Sequence, residues 1–81
     1  MKTFHLTVAK VGENLFDGEA ISASLPGTEG VFQILAEHEA FVSELKNGEM
    51  HIKAADDQMH HFNISKGGIA EVSRNQATIL L

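Results

Sequence analysis

Apolar and polar positions alternate from the start of the chain, with Phe4, Leu6 and Val8 on one side and Thr3, His5 and Thr7 on the other. That two-residue period predicts a half-buried strand from Lys2 to Ala9. Gly12, Glu13 and Asn14 read as a turn. Beyond it, Ile21, Ala23 and Leu25 alternate with Ala20, Ser22 and Ser24 in a second strand that ends at Pro26, and Gly18 predicts a bulge or bend within it. Further on, Met50, Ile52 and Ala54 alternate with Glu49, His51 and Lys53. Asp56-Asp57-Gln58 separates this run from Phe62 and Ile64, which alternate with His61, Asn63 and Ser65 in a hairpin pattern. Gly67-Gly68 marks the next turn, Ala70 and Val72 point one way, Arg74-Asn75 turns the chain again, and Ala77, Ile79 and Leu81 share a face. Short strands spaced about 8 to 12 residues apart with turn residues between them predict a sandwich or barrel.

One stretch breaks the pattern. In QILAEHEAFVSELKNG, Ile34, Leu35, Phe41, Val42 and Leu45 recur at helical spacing, Ala36, Glu37, Glu39 and Ala40 favour helix, and Asn47-Gly48 would serve as its stop. Local rules give a helix over 34–46. The other reading is two short strands joined at Glu37 to Ala40, with Asn47-Gly48 as a later turn. Just before it, LPGTEGVFQIL holds the only proline and two glycines around Glu29. This segment reads as a connector, an anion-binding loop or a docking surface.

Composition narrows these choices. Eighty-one residues predict one domain over 1–81, and a chain of this size buries only about 60 to 65% of its unfolded surface. The core must be thin. Without cysteine there is no disulfide framework, thiolate metal site or thiol nucleophile, and a reducing compartment fits. A hydrophobic fraction of 43% argues against disorder. The net charge of −5 and the six scattered basic residues argue against nucleic acid and anionic membranes, which require clustered Lys and Arg. MKTFHLTVAK lacks the apolar core of a signal peptide, and no run approaches the roughly 20 apolar residues of a membrane span.

Candidate chemistry is sparse. Gly27-Thr28-Glu29-Gly30 has the outline of a GxxG backbone clamp, but that module needs flanking helices and basic neighbours, and Glu29 places a negative charge at its centre. No GK[ST] follows, so it is not a Walker loop. Of the five histidines, His60 and His61 are adjacent and point to opposite strand faces, whereas His51 and His61 can face each other on the outside. Two imidazoles alone make an adventitious site, so the expectation is solvent-facing strand histidines and no metal. No nucleophile elbow or triad spacing appears, and no enzyme activity or cofactor is expected. Asn63-Ile64-Ser65 matches a glycosylation sequon by chance. If Phe32 and Ile34 face the core, Val31 and Leu35 face out beside a constrained loop, which favours a partner interface.

Taken in order, MKTFHLTV, LFDGEAISASLPGTEGVFQIL, the central His38, ELKNGEMHI and ISKGGIAEVSRNQATIL make the whole chain resemble the N-terminal β-sandwich domain of the epsilon subunit of F-type rotary ATP synthase. The resemblance implies an all-β, flattened two-sheet sandwich of about ten short strands, and therefore strands across 34–46. It implies a non-catalytic central-stalk subunit that binds the gamma subunit and the c-ring. Such a subunit helps couple proton transport to ATP synthesis and lies peripherally on the cytoplasmic face of the membrane. Carried over by position, Gly27, Thr28, Glu29, Gly30 and Val31 correspond to the c-ring-facing loop, and His38 and Ser43 to gamma-facing positions.

The departures are local. Val31 stands where the family usually has an acidic or polar residue. Ala36-Glu37-His38-Glu39-Ala40 lacks the Pro-Gly before and the Ala-Pro after the central His, and Lys46-Asn47-Gly48 replaces the common Lys-Pro-Gly. The family's C-terminal helical hairpin is not in the sequence, so neither inhibition through it nor ATP binding is expected. The reading of another class is a free-standing β-sandwich adaptor for some other protein, and a histidine-based metal module is a third.

Overall fold

The computed structural model describes residues 2–81 and contains eight strands among them. They are β1 (Phe4–Lys10), β2 (Glu13–Gly27), β3 (Gly30–Leu35), β4 (Phe41–Leu45), β5 (Gly48–Ala54), β6 (Met59–Ile64), β7 (Gly68–Ser73) and β8 (Gln76–Leu80). β2 organises the rest. Its first half pairs antiparallel with β1, from Lys10↔Glu13 to Phe4↔Ala20. Its second half leaves β1 and takes β3 and β5 as neighbours, through Ala23↔Ile34 and Ala23↔Ile52. One layer is then β3-β2-β5-β6. The other runs β2-β1-β8-β7-β4, closed by a parallel β1–β8 pairing and by the single Gly27↔Leu45 bridge between β2 and β4. This is the expected sandwich with a lower strand count, because the 15-residue β2 serves both layers as one strand.

Two register shifts make that passage possible. Val8 pairs with Phe16 and Ala9 with Asn14, which leaves Leu15 as the extra residue. Ala20 pairs with Ala54 and Ser22 with Lys53, which leaves Ile21 extra. An extra residue inverts the facing period beyond it. Hence Ala20 and Ala23 are both buried while Ile21, placed inward by simple alternation, is half-exposed. The bend expected at Gly18 is absent, since Gly18 pairs in register with Leu6. The strand also begins at Glu13, earlier than the expected turn allowed.

The core joins Phe4, Leu6 and Val8 of β1 to Leu25 and Ile34 of the facing layer, to Met50 and Ile52 of β5, and to Val72 and Ile79 of β7 and β8. These are the positions that the alternation marked as inward. Residues 34–46 form strand, turn and strand, with no helix. The helical spacing fails here because Leu35 and Val42 are exposed while Ile34 and Leu45 are buried, an arrangement set by the two sheet faces and not by one helix stripe.

Candidate functional site

The segment carried over as a docking loop is a tight hairpin. Gly27 and Gly30 face each other across Thr28-Glu29, the two turn residues between β2 and β3. Sequence dictates this turn through sterics. A Cβ on Gly27 would lie 2.8 Å from the Gly30 carbonyl oxygen and 2.9 Å from the Phe32 ring, and Gly30 holds φ at +128°, where other side chains are strained. β4 then clamps the turn from outside: Thr28 N donates to Glu44 O at 3.1 Å, and Lys46 N donates to Pro26 O at 2.9 Å. Thr28, Glu29, Gly30 and Val31 are exposed, while Gly27 is buried under the tip.

Ser43 lies next to this tip. Thr28, Glu29, Val42, Ser43 and Glu44 line a shallow groove of about 390 Å³, so the structure brings part of the loop and one of the two other carried-over residues onto one surface. Ser43 is only half-exposed, and its hydroxyl donates to Glu44 O at 3.1 Å. The outward positions of β4 are Val42 and Glu44. Sequence reasoning passed over both, although the alternation of Phe41, Ser43 and Leu45 marks their neighbours as outward. Val42 is 66% exposed and Val31 is 74% exposed, so the flank of the hairpin presents two apolar side chains beside two carboxylates.

His38 does not line the groove. It sits in the β3–β4 link, where its N–H bonds Leu35 O at 3.3 Å and its Nδ1 lies 2.7 Å from Glu39 O. Its ring rests on Phe41 with centroids 4.8 Å apart, and Phe41 meets Phe32 edge-on at 5.3 Å. Through this aromatic row the link is packed to the strand that leaves the hairpin. Asn75 is the residue that sequence reasoning read only as part of a turn. Its Oδ1 accepts from Glu37 N at 2.6 Å and its Nδ2 donates to Thr3 O at 2.9 Å, so it holds the link from the far end of the β7–β8 turn. No signal at the link itself points to it.

The electrostatics of this region are acidic, through Glu29 and Glu44. A different polar group lies on β1 and β2. His5 Nε2 is 2.7 Å from Asp17 Oδ1, and its Nδ1 is 3.2 Å from Glu19 Oε2. The hydrogen bond to Asp17 first, and that to Glu19 second, raise the His5 pKa above its ordinary value.

With this geometry in view, known proteins supply the family. Residues 3–81 match the family model described as ATP synthase, Delta/Epsilon chain, beta-sandwich domain. An ATP synthase epsilon chain of Delftia acidovorans is 36% identical over 80 residues, covering 99% of this chain and 57% of that protein. An ATP synthase epsilon chain of Chlorobium limicola is 35% identical over 79 residues, covering 98% of this chain and 89% of that one. The chain thus spans a little over half of the first relative's length and most of the second's. The same fold occurs in a solved Euglena gracilis mitochondrial ATP synthase assembly of OSCP, F1 and c-ring, with a TM-score of 0.88 at 22% identity over 96% of this chain and 49% of that one. A Tetrahymena thermophila mitochondrial central stalk and c-ring structure shares it with a TM-score of 0.79. The match runs through both register-shifted halves of β2, the glycine-closed hairpin and the final strand, and so the chain belongs to the delta/epsilon chain family of ATP synthase as its β-sandwich domain.

Proposed function

We propose that this chain is a non-catalytic central-stalk subunit of an F-type ATP synthase, peripheral to the membrane, which binds the gamma subunit and the c-ring and helps couple proton transport to ATP synthesis. The observation that carries the reading is the hairpin tip. Thr28, Glu29 and Val31 are exposed on a turn whose backbone is fixed by Gly27, Gly30 and two hydrogen bonds from the β4 end. A fixed, exposed tip docks with little loss of conformational freedom. Ser43 and the His38 link are the proposed gamma-facing positions, and Gly27 to Val31 the proposed c-ring-facing loop. The similarity to ATP synthase epsilon chains, and to chains solved within F1 and c-ring or central-stalk and c-ring assemblies, supports the partners.

A passive mechanical role also suits the interior. Among the described residues, no polar or charged side chain is buried. Torque passes through packed apolar layers that deform little. The chain as one rotor domain over 1–81 is part of this proposal.

The test is co-purification with gamma and c-ring, comparing the parent with the triple variant Thr28→Ala, Glu29→Ala, Val31→Ser. Expected is an unchanged strand-rich circular dichroism spectrum with rotor binding weakened about tenfold or more, the scale of a few lost interface anchors. Unchanged binding by the triple variant would make the hairpin a plain connector.

A further inference from the structure

We propose that Glu49, His51 and His61 form a binding site for a divalent transition-metal ion of the zinc class on the outer face of the β5–β6 hairpin. Glu49 and His51 are two apart on β5 and therefore project from the same face, and His61 pairs directly with His51 across the hairpin. The alternation had already set the two imidazoles opposite each other. The structure adds the third donor.

One ligand atom from each residue lies within 4.8 Å of the other two. His51 Nε2 stands 3.1 Å from Glu49 Oε1, and the two imidazole rings meet edge-on at 4.6 Å between centroids. A tetrahedral zinc ion with bonds of about 2.0 to 2.1 Å sets its donors roughly 3.3 Å apart. The pair that includes the carboxylate is already at that spacing, and His61, an exposed side chain, has freedom to close the remainder. Two imidazoles and one carboxylate suit zinc and its Irving–Williams neighbours better than magnesium or calcium, which select oxygen donors. The fourth position would be filled by water or by a donor from another molecule.

The surroundings do not oppose a cation. Ser24 neighbours His51 on β2 and Asn63 neighbours Glu49 on β6, and neither is charged. Lys53 shares the face, but its ammonium lies 3.7 Å from Asp57 at the hairpin turn. The other His-carboxylate group is built differently. Asp17 and Glu19 engage opposite ring nitrogens of His5, so its donors diverge and cannot converge on one ion. His60 points to the other face, with its ring edge-on to Phe16 at 5.1 Å.

The experiment is calorimetric titration of the 81-residue chain with zinc chloride in a non-chelating buffer near neutral pH, paired with melting curves. Expected is saturation near one ion per chain, with a dissociation constant on the order of 10 μM, and a melting temperature that climbs with zinc concentration. His61→Gln and His51→Gln should each weaken binding about tenfold or more, and Glu49→Gln about threefold or more, because each removes one of the three ligands. His5→Gln should leave it unchanged. Because His61 and Glu49 are exposed, their variants should keep the fold, which circular dichroism checks. The assignment is overturned by the absence of saturable binding up to about 1 mM zinc, by binding that survives His61→Gln, by loss in His5→Gln, or by an equal response to magnesium.

Discussion

The β2–β3 turn and the β3–β4 link both reverse the chain beside the same strand, by opposite means. The turn is specified where it stands: Gly27 and Gly30 admit backbone approaches and angles that other residues resist. The link at 36–40 has neither glycine nor proline, and Glu37 adopts a left-handed φ of 61° there. A non-glycine residue in that region costs about 1 kcal/mol or more and persists only when its surroundings impose it. Those surroundings are Asn75 on Glu37 N, Lys2 on the Glu37 carboxylate and Phe41 under His38. One reversal is written locally and the other is borrowed from distant strands, which makes the first resistant to change elsewhere and the second dependent on it.

The largest break in that contrast should come at the locally written turn. Gly27→Val places a branched side chain against the Gly30 carbonyl and the Phe32 ring, both inside 3 Å of the new Cβ position. Overpacking of this kind costs about 1 to 3 kcal/mol, and the backbone contact puts this variant at the upper end. Urea denaturation should show a lowered midpoint. A change under about 0.5 kcal/mol would mean that the hairpin is not held by this close approach.

At the borrowed link, the expected effect is next in size and comes from 38 residues away. Asn75→Ala removes the acceptor for Glu37 N and the donor to Thr3 O, and puts alanine at a φ of 59°. Each lost hydrogen bond is worth about 0.5 to 1.5 kcal/mol, so a total of about 2 kcal/mol is expected. Asn75→Gly relieves the backbone angle without restoring the bonds, and should recover less than half of the loss. Full recovery by glycine would show that Asn75 supports only its own turn. Hydrogen exchange at residues 36–40 should quicken in both variants.

The same contrast explains what the sequence could disclose. Strand faces were legible because burial on one side forces a period of two, as at Phe4, Leu6, Val8 and at Met50, Ile52, Ala54. The hairpin at Gly27 was legible because its sterics are local. The face of Ala20 and Ile21 was not, since the bulge that inverts it depends on how β5 meets β2. Nor was the link, whose composition favours helix and whose conformation is decided by Asn75. At the candidate site, Thr28, Glu29 and Val31 followed from alternation and resemblance. Their adjacency to Ser43, with Val42 and Glu44 as the outward neighbours, needed the Gly27↔Leu45 bridge that sets β4 against the turn. Glu49 escaped notice as a third donor for a similar reason, since its distance to His51 is a matter of side-chain placement and not of spacing.

His5 tests whether charge reaches the link through β1. Its backbone N–H donates to Asn75 O at 3.2 Å, so the imidazole sits on the strand that anchors the clamp. Bonds to Asp17 and then Glu19 raise its folded pKa above the unfolded value near 6.5. A raised pKa means that the folded state binds the proton more tightly. The stabilisation is therefore complete below about pH 6.5 and disappears as pH rises through the higher folded pKa. The melting temperature of the parent, relative to His5→Gln, should be higher at pH 5.5 than at pH 9. A difference that stays flat over this range would remove the charged histidine from the account.

The smallest effect should be at the ion pair whose distance alone would make it a fastener of the link. Lys2 Nζ lies 3.0 Å from Glu37 Oε1, but the two side chains are 75% and 63% exposed. Solvent screens such a pair and side-chain entropy opposes it, so Lys2→Ala should change stability by no more than about 0.5 kcal/mol, and less in high salt. Glu37→Gly removes the same ion pair while relieving the φ of 61°, and should be no less stable than Lys2→Ala. If Glu37→Gly were instead destabilised as much as Asn75→Ala, the carboxylate and not the backbone N–H would be what holds the link. The borrowed contact would then be electrostatic, and the melting temperature of the parent would fall steeply with added salt, which the hydrogen-bonded clamp does not require.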